Sequence, residues 1–167
     1  MSDHILDFGE AFPVAAHGQT WSVSWHAPDD PPDGKPHGSE GLCLAPCGSL
    51  VIISHNGEDW GFPGGRPEGE ETWRETLERE VMEEACAVVG DARLLGFARS
   101  ACVSGEEAGL VLVRSLWLAE VSLLEWAPRF EILFRRLAEP DDAIRQTYVA
   151  ERLPLYRRVF RDALGFG

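Results

Sequence analysis

The sequence has no apolar run that approaches the roughly 20 residues a helix needs to cross a bilayer, so we expect no membrane partner. Its first ten residues, MSDHILDFGE, lack the basic stretch and apolar core of a secretory signal. Basic residues are also few, with 15 lysines and arginines against 28 aspartates and glutamates and a formal net charge of −13. Because such a chain repels polyanions, we expect no extended nucleic-acid partner, whereas a small phosphorylated ligand is compatible with local screening by metal ions or arginines.

Cysteine is also scarce, and no two cysteines have the C-x-x-C spacing of a zinc or redox motif. Cys43 and Cys47 lie nearest each other, and no histidine follows them at the distance found in zinc fingers. We therefore expect buried or partly buried thiols at Cys43, Cys47, Cys86 and Cys102. Thiols that are neither paired nor bound to metal suit a reducing compartment, so we predict a cytoplasmic protein.

The length and composition predict a single domain. With 167 residues, of which 44% are apolar and 26% charged, the chain can bury one core, and no linker or repeat divides residues 1–167. Residues 1–18 have no clear periodicity, so they form either a short N-terminal arm or an edge strand. Elsewhere, alternating or apolar runs predict strands at 20–26, 39–45, 49–54, 88–103 (as one strand or two), 110–123 and 130–137.

The strongest helix signal is TWRETLEREVMEEA, at residues 72–85. Thr72 followed three residues later by Glu75 is a capping box, which predicts a helix that begins at Trp73. Apolar residues recur at every fourth position and form a stripe that can pack on a sheet: Trp73, Leu77, Val81 and Ala85. A second helical region follows Pro140, with a break near Pro154. Strands on both sides of the first helix indicate an α/β fold with a mixed β-sheet.

Three carboxylates crowd one side of this helix. At about 100° per residue, Glu80, Glu83 and Glu84 lie within an arc of roughly 100° beside the apolar stripe. Glu80 and Glu84 alone repel each other by a few tenths of a kcal/mol, and a bound divalent cation would reverse the sign of that term. Hard cations such as Mg²⁺ prefer oxygen ligands and keep waters that a phosphate can replace. The other interpretation is a solvated acidic helix face, which is common in soluble proteins.

The loop before the helix favours a metal site. It reads WGFPGG, and its last two residues, Gly64 and Gly65, can bring backbone groups close to a ligand because they have no side chain. Gly65 is followed by five residues, then Glu71, then seven residues, and then REVMEE at 79–84. This spacing resembles the Nudix box, in register over residues 65–87.

The match departs from the box at its last two positions, where Cys86 replaces the usual glycine and Ala87 the usual aliphatic residue. The glycine suits a left-handed helix cap. In that conformation Cys86 would cost roughly 1 kcal/mol, unless the helix ends differently. No carboxylate of the box is missing, so the substitution does not by itself argue for an inactive protein.

The resemblance implies the Nudix fold, a mixed β-sheet sandwiched between α-helices, and a hydrolase that depends on Mg²⁺ or Mn²⁺. It implies four metal ligands: Glu80, Glu83, Glu84 and the carbonyl of Gly64. Gly65 and an ion pair between Glu71 and Arg79 would support the site. The catalytic base is either one of these helix glutamates or a later carboxylate, for which Glu131 is our first choice.

The resemblance also implies the reaction, hydrolysis of a phosphoanhydride bond. The substrate would be a nucleoside diphosphate linked to another moiety, or a nucleoside triphosphate. No residue downstream of the box marks a particular substrate class. The alternative is a Nudix-fold sensor that binds a nucleotide without cleaving it. The sequence leaves the oligomeric state open, with a homodimer as one option.

Overall fold

The computed structural model describes residues 4–147 and 150–165. In these ranges the strands are β1 (Ala11–Ala16), β2 (Gln19–His26), β3 (Lys35–Leu44), β4 (Leu50–Ser54), β5 (Trp60–Gly61), β6 (Gly64–Gly65), β7 (Ala87–Ser104), β8 (Val111–Leu123) and β9 (Phe134–Ala138). The helices are α1 (Trp73–Ala85), α2 (Pro140–Thr147) and α3 (Leu153–Leu164), and a 3₁₀ turn, Ala150–Arg152, precedes α3.

The described chain divides into two compact units. The first comprises residues 4–37, 95–116 and 150–165, and the second comprises residues 38–94 and 117–147. Strands β3, β7 and β8 contribute residues to both units. The single domain over residues 1–167 stays a prediction.

The first unit contains the N-terminal hairpin and α3. β1 pairs antiparallel with β2 through a turn at His17 and Gly18, which both have positive φ, as a two-residue hairpin turn requires. Strand β2 also pairs antiparallel with the second half of β7, and Phe8 forms a parallel bridge to Trp25. The segment 1–18 therefore includes a strand at its C-terminal end.

The second unit contains the strand order β7-β8-β3-β4-β5, with β6 beside β3 and β9 beside β4. Helix α1 packs its apolar stripe into this unit's core, where Leu77, Val81 and Ala85 are fully buried. Their neighbours come from four strands: Cys43, Val51, Ile53, Ala87, Trp117, Ala119 and Val121. The fold is α/β with a mixed sheet and flanking helices, which confirms the predicted class.

The predicted bounds of α1 are confirmed at both ends. β3 begins at Lys35, inside a segment that its prolines and aspartates mark as a loop, and β9 begins at Phe134, four residues later than predicted. β7 runs without a break through Gly96. A Cβ at Gly96 would lie 2.4 Å from the carbonyl oxygen of His26, so this glycine marks a close approach of two strands.

The expectation of buried or partly buried thiols is wrong for Cys47, which is exposed because it lies in the turn between β3 and β4. Among the helices of the described residues, none is long and apolar enough to cross a membrane.

Truncating the stripe of α1 tests its role in the core. Leu77→Ala removes a fully buried side chain, so we expect the free energy of unfolding to fall by about 2–5 kcal/mol in urea titrations. Met82→Ala is the matched control, because Met82 is 42% exposed on the same helix, and it should change stability little. Equal losses in the two variants would contradict the described packing.

Candidate metal centre

The first turn of α1 is fixed by reciprocal hydrogen bonds. The Thr72 hydroxyl accepts from the backbone N–H of Glu75 at 3.2 Å, and the Glu75 carboxylate accepts from the backbone N–H of Thr72 at 3.0 Å. The buried Ser39 of β3 donates its hydroxyl to the carbonyl of Trp73 at 2.7 Å. The first two bonds satisfy backbone N–H groups that a helix N-terminus leaves unpaired, and the third ties the start of α1 to β3. They also set the rotation of α1, and with it the direction of the glutamates two turns later.

Strand β6, Gly64–Gly65, lies so close to its neighbours that a Cβ at Gly64 has no room and a Cβ at Gly65 would displace a carboxylate of α1. A Cβ at Gly64 would lie 2.4 Å from the carbonyl oxygen of Ser39, and a Cβ at Gly65 would lie 2.4 Å from the carboxyl carbon of Glu80. The backbone N–H of Gly64 donates to the Glu84 carboxylate at 2.8 Å. The two glycines therefore bring main-chain groups against the carboxylates of α1.

Arg79 joins the loop to the helix. Its guanidinium donates two hydrogen bonds to Glu71, from Nε at 2.8 Å and from Nη2 at 3.0 Å. Nη1 donates to Glu80 at 2.9 Å and to Glu83 at 3.2 Å, and Nη2 also donates to the carbonyl of Arg66 at 2.7 Å. Bidentate, charge-assisted hydrogen bonds of this kind stabilise the contact and also fix its geometry. Arg79 thus holds three of the predicted site carboxylates at once.

The hydrogen bonds from Arg79 keep Glu71 ionised. Together with the backbone N–H of Glu68, they lower the pKa of Glu71 to about 2. Burial raises the pKa of Glu80, and Arg79 opposes that shift without cancelling it. The single guanidinium therefore does not balance the negative charge gathered around it.

Glu84 has the most unfavourable surroundings. Burial above all, and then the charges of Glu80, Glu131 and Glu40, raise the pKa of its carboxyl to about 7, against the opposing hydrogen bond from Gly64. Within the described part of the chain Glu84 forms no ion pair. A cation at this position would relieve both the burial cost and the repulsion.

Glu131 lies in an exposed segment just before β9, yet its charge acts on Glu84. The structure therefore brings it into the same region as the helix carboxylates. Glu40 of β3, which the sequence pattern did not single out, also acts on Glu84 and pairs in register with Gly64. Its position depends on the pairing of β3 with β6, for which the sequence near Glu40 carries no signal.

The side chains do not converge on one point. In residues 4–147 and 150–165, no three His, Cys, Asp or Glu side chains lie close enough together to hold a metal ion. Arg79 draws Glu80 and Glu83 to itself, while Gly64 holds Glu84. The donor set nevertheless consists of carboxylate and carbonyl oxygens, the ligands that Mg²⁺ and Mn²⁺ prefer, beside a glycine cradle that a Cβ would fill. These residues fit a divalent cation.

Comparison with known proteins identifies the family. The family model of the NUDIX domain matches residues 37–159. The chain belongs to the Nudix family. The matched range contains the whole Nudix box, the segment with Glu131 and strand β9. The family match indicates a Nudix-type pyrophosphohydrolase, as the resemblance implied.

Solved structures share the fold at low sequence identity. A variant of the Bacillus subtilis pyrophosphohydrolase BsRppH is 22% identical with a TM-score of 0.71, over 93% of this chain and 98% of that one. A NUDIX hydrolase from Nitrosomonas europaea is 17% identical with a TM-score of 0.59, over 78% of this chain and 90% of that one. The MutT protein from Methanosarcina mazei is 17% identical with a TM-score of 0.55, over 78% and 97%. No curated protein matches this Nudix chain.

The ion pair of Glu71 with Arg79 predicts a pH dependence of stability. Because the folded-state pKa of Glu71 is lowered to about 2, its stabilising contribution is present above the unfolded-state pKa of about 4.3. That contribution is lost as the pH falls through the folded-state value. Between about pH 6 and pH 2.5, urea unfolding should therefore show a smaller loss of stability in Glu71→Gln than in the wild type.

Glu70→Gln is the matched control for this measurement, because Glu70 is the exposed neighbour in the same loop. Its stability should follow the wild-type pH dependence. If the wild type and Glu71→Gln lost the same stability over this range, the ion pair would not contribute to the folded state.

Proposed function

We propose that this Nudix protein is a divalent-cation-dependent pyrophosphohydrolase. Its substrate is a nucleoside diphosphate linked to another moiety, or a nucleoside triphosphate, and the cation is Mg²⁺ or Mn²⁺. The observation that carries the proposal is the partly buried carboxylate of Glu84, which accepts a hydrogen bond from the Gly64 backbone, forms no ion pair among the described residues and is surrounded by further acids. A cation bound there would relieve both the burial cost and the repulsion between these acids.

The proposed ligands of the cation are Glu80, Glu83, Glu84 and the carbonyl of Gly64. A cation bound there supplies charge that neutralises a pyrophosphate and lowers the pKa of a bound water. Because the Arg79 guanidinium holds both Glu80 and Glu83 in the described arrangement, these carboxylates would have to turn from Arg79 to bind the cation. Arg79 remains tied to Glu71 and to the carbonyl of Arg66, so it keeps the loop on the helix.

The hydrolysis also requires a general base that accepts a proton from the attacking water. A general base must lie within hydrogen-bond reach of the proton that it accepts, directly or through one water. Glu131 is our first choice, because it is exposed enough to meet a substrate and its charge already acts on Glu84. A glutamate of α1 is the alternative.

The acidic composition and the free thiols support two further parts of the proposal. A net charge of −13 favours a small nucleotide over an extended nucleic acid. All four cysteines are free, which suits the reducing cytoplasm. A nucleotide sensor without activity is less well supported, because every carboxylate of the box is present.

Replacing a proposed ligand tests the activity. Glu84→Gln should reduce Mg²⁺-dependent release of phosphate or pyrophosphate by more than about 100-fold, since loss of a mere supporting residue can cost 10–100-fold. The assay uses a panel of nucleoside triphosphates and nucleoside-diphosphate conjugates. Glu78→Gln is the control, because Glu78 lies about 200° around the helix from Glu80 and pairs with Arg74 at 2.8 Å.

The control should retain wild-type turnover. Near wild-type turnover in both Glu83→Gln and Glu84→Gln, measured on any substrate that the wild type cleaves, would remove the assignment of the metal ligands.

Metal binding should also raise thermal stability by linkage. At a cation concentration about 100 times its dissociation constant, the gain is about 2.7 kcal/mol, which corresponds to several degrees in Tm for a chain of this size. Differential scanning fluorimetry with Mg²⁺ or Mn²⁺, reversed by EDTA, measures the shift. The shift should shrink in Glu84→Gln but not in Glu78→Gln. An unchanged wild-type Tm across millimolar cation would count against the site.

A further inference from the structure

The side chain of Arg135, in β9, reaches the C-terminal end of α1. Its Nη1 lies 2.8 Å from the carbonyl oxygen of Ala85 and 3.1 Å from that of Cys86, and it donates to both. The same nitrogen lies 3.1 Å from the carbonyl oxygen of Leu124, which follows β8. The guanidinium is also 5.2 Å from the ring centre of Trp126, within the range of a cation–π contact. One side chain therefore contacts the helix end and the segment after β8.

The C-terminal end of α1 has two unfavourable features that such a contact can offset. Its last turn contains no basic residue but does contain Glu83 and Glu84, whose charges add to the negative end of the helix dipole. Cys86 caps the helix in the left-handed conformation, with φ 50° and ψ 51°, where the box normally has glycine. A residue with a side chain is strained there. Arg135 supplies the missing positive charge and holds the strained carbonyl.

The segment between β8 and β9 is tied to the same point. The backbone N–H of Leu124 donates to the carbonyl of Cys86 at 2.9 Å, and the Cys86 thiol donates to the carbonyl of Ala127 at 3.5 Å. This segment carries Glu131. The helix that carries Glu83 and Glu84 and the segment that carries Glu131 thus meet at the guanidinium of Arg135.

We propose that Arg135 is a positioning residue, which fixes the last turn of α1 against the 124–133 segment and so sets the place of Glu83 and Glu84 relative to Glu131. Its hydrogen bonds offset the strain at Cys86, where the Nudix box has a glycine. The proposal rests on the proposed function, because the groups it positions are the proposed metal ligands and base.

Mn²⁺ affinity tests the proposal without turnover. Electron paramagnetic resonance of free Mn²⁺ gives the dissociation constant for the wild type and for Arg135→Gln. We expect Arg135→Gln to bind Mn²⁺ about tenfold more weakly, since residues that orient metal ligands affect affinity by 10–100-fold. Arg136→Gln is the matched control, because Arg136 is the next residue of β9 and its guanidinium lies 4.2 Å from the ring centre of Trp60 instead. It should bind Mn²⁺ like the wild type.

A glycine at the cap provides a rescue. Cys86→Gly relieves the strain of the left-handed conformation, so the helix end depends less on Arg135. We expect Arg135→Gln to weaken Mn²⁺ binding less in the Cys86→Gly background than in the wild-type background. If Arg135 served only overall stability, Arg135→Gln would lower Tm but leave the Mn²⁺ affinity of the folded protein unchanged in both backgrounds. That result would overturn the proposal.

Amide hydrogen exchange of the metal-free protein separates this proposal from the proposed function. Arg135→Gln should speed exchange at Leu124 and Cys86 relative to Arg136→Gln. If the wild type bound no Mn²⁺ but this exchange difference appeared, the proposed function would fail and the positioning role would stand. Unchanged exchange would contradict the role. If Arg135→Gln does not fold, Arg135→Lys, which keeps the charge but not the planar fork, takes its place in both measurements with the same criteria.

Discussion

The site depends on one imbalance of charge: a single guanidinium, that of Arg79, faces more carboxylates than it can neutralise. Arg79 binds Glu71, Glu80 and Glu83, while Glu84 is left to a backbone N–H. Burial weakens the solvation of these groups, so the uncompensated charge is costly. Clusters of like charge that lower stability are found at functional sites, where a ligand of opposite charge neutralises them.

The surrounding structure serves to hold that charge in place. The buried stripe of α1 anchors the helix in the core of the second unit, and the capping box and Ser39 set its rotation. The glycine pair lets the main chain of β6 come within reach of Glu80 and Glu84, since a Cβ at Gly64 would collide with the backbone of Ser39 and a Cβ at Gly65 would displace the Glu80 carboxylate. At the other end of the helix, Arg135 donates hydrogen bonds to the carbonyls of Ala85 and Cys86. Rigid support of this kind is what a site of repelling groups requires.

The sequence predicts the parts of this arrangement that depend on local periodicity. The capping box and the four-residue recurrence give the bounds of α1, and the helical rotation gives the shared side of its glutamates. The spacing from Gly65 to Glu84 gives the family. Contacts between residues that are distant in the sequence are harder to predict. Neither Arg135 at the carbonyl of Ala85 nor Glu40 beside Gly64 has a local pattern, because each depends on how distant strands pair. Whether 88–103 forms one strand or two depends in the same way on a distant contact, since the approach of His26 accounts for the glycine at position 96.

The central claim is that these carboxylates, and not the acidic surface in general, gather a divalent cation. Paramagnetic broadening of backbone amide NMR signals by substoichiometric Mn²⁺ tests it directly. The account predicts that broadening concentrates at Gly64, Gly65 and the last turn of α1, and spares the aspartate-rich loop at 29–33. Broadening that is spread over the acidic surface, or centred on that loop, would contradict it.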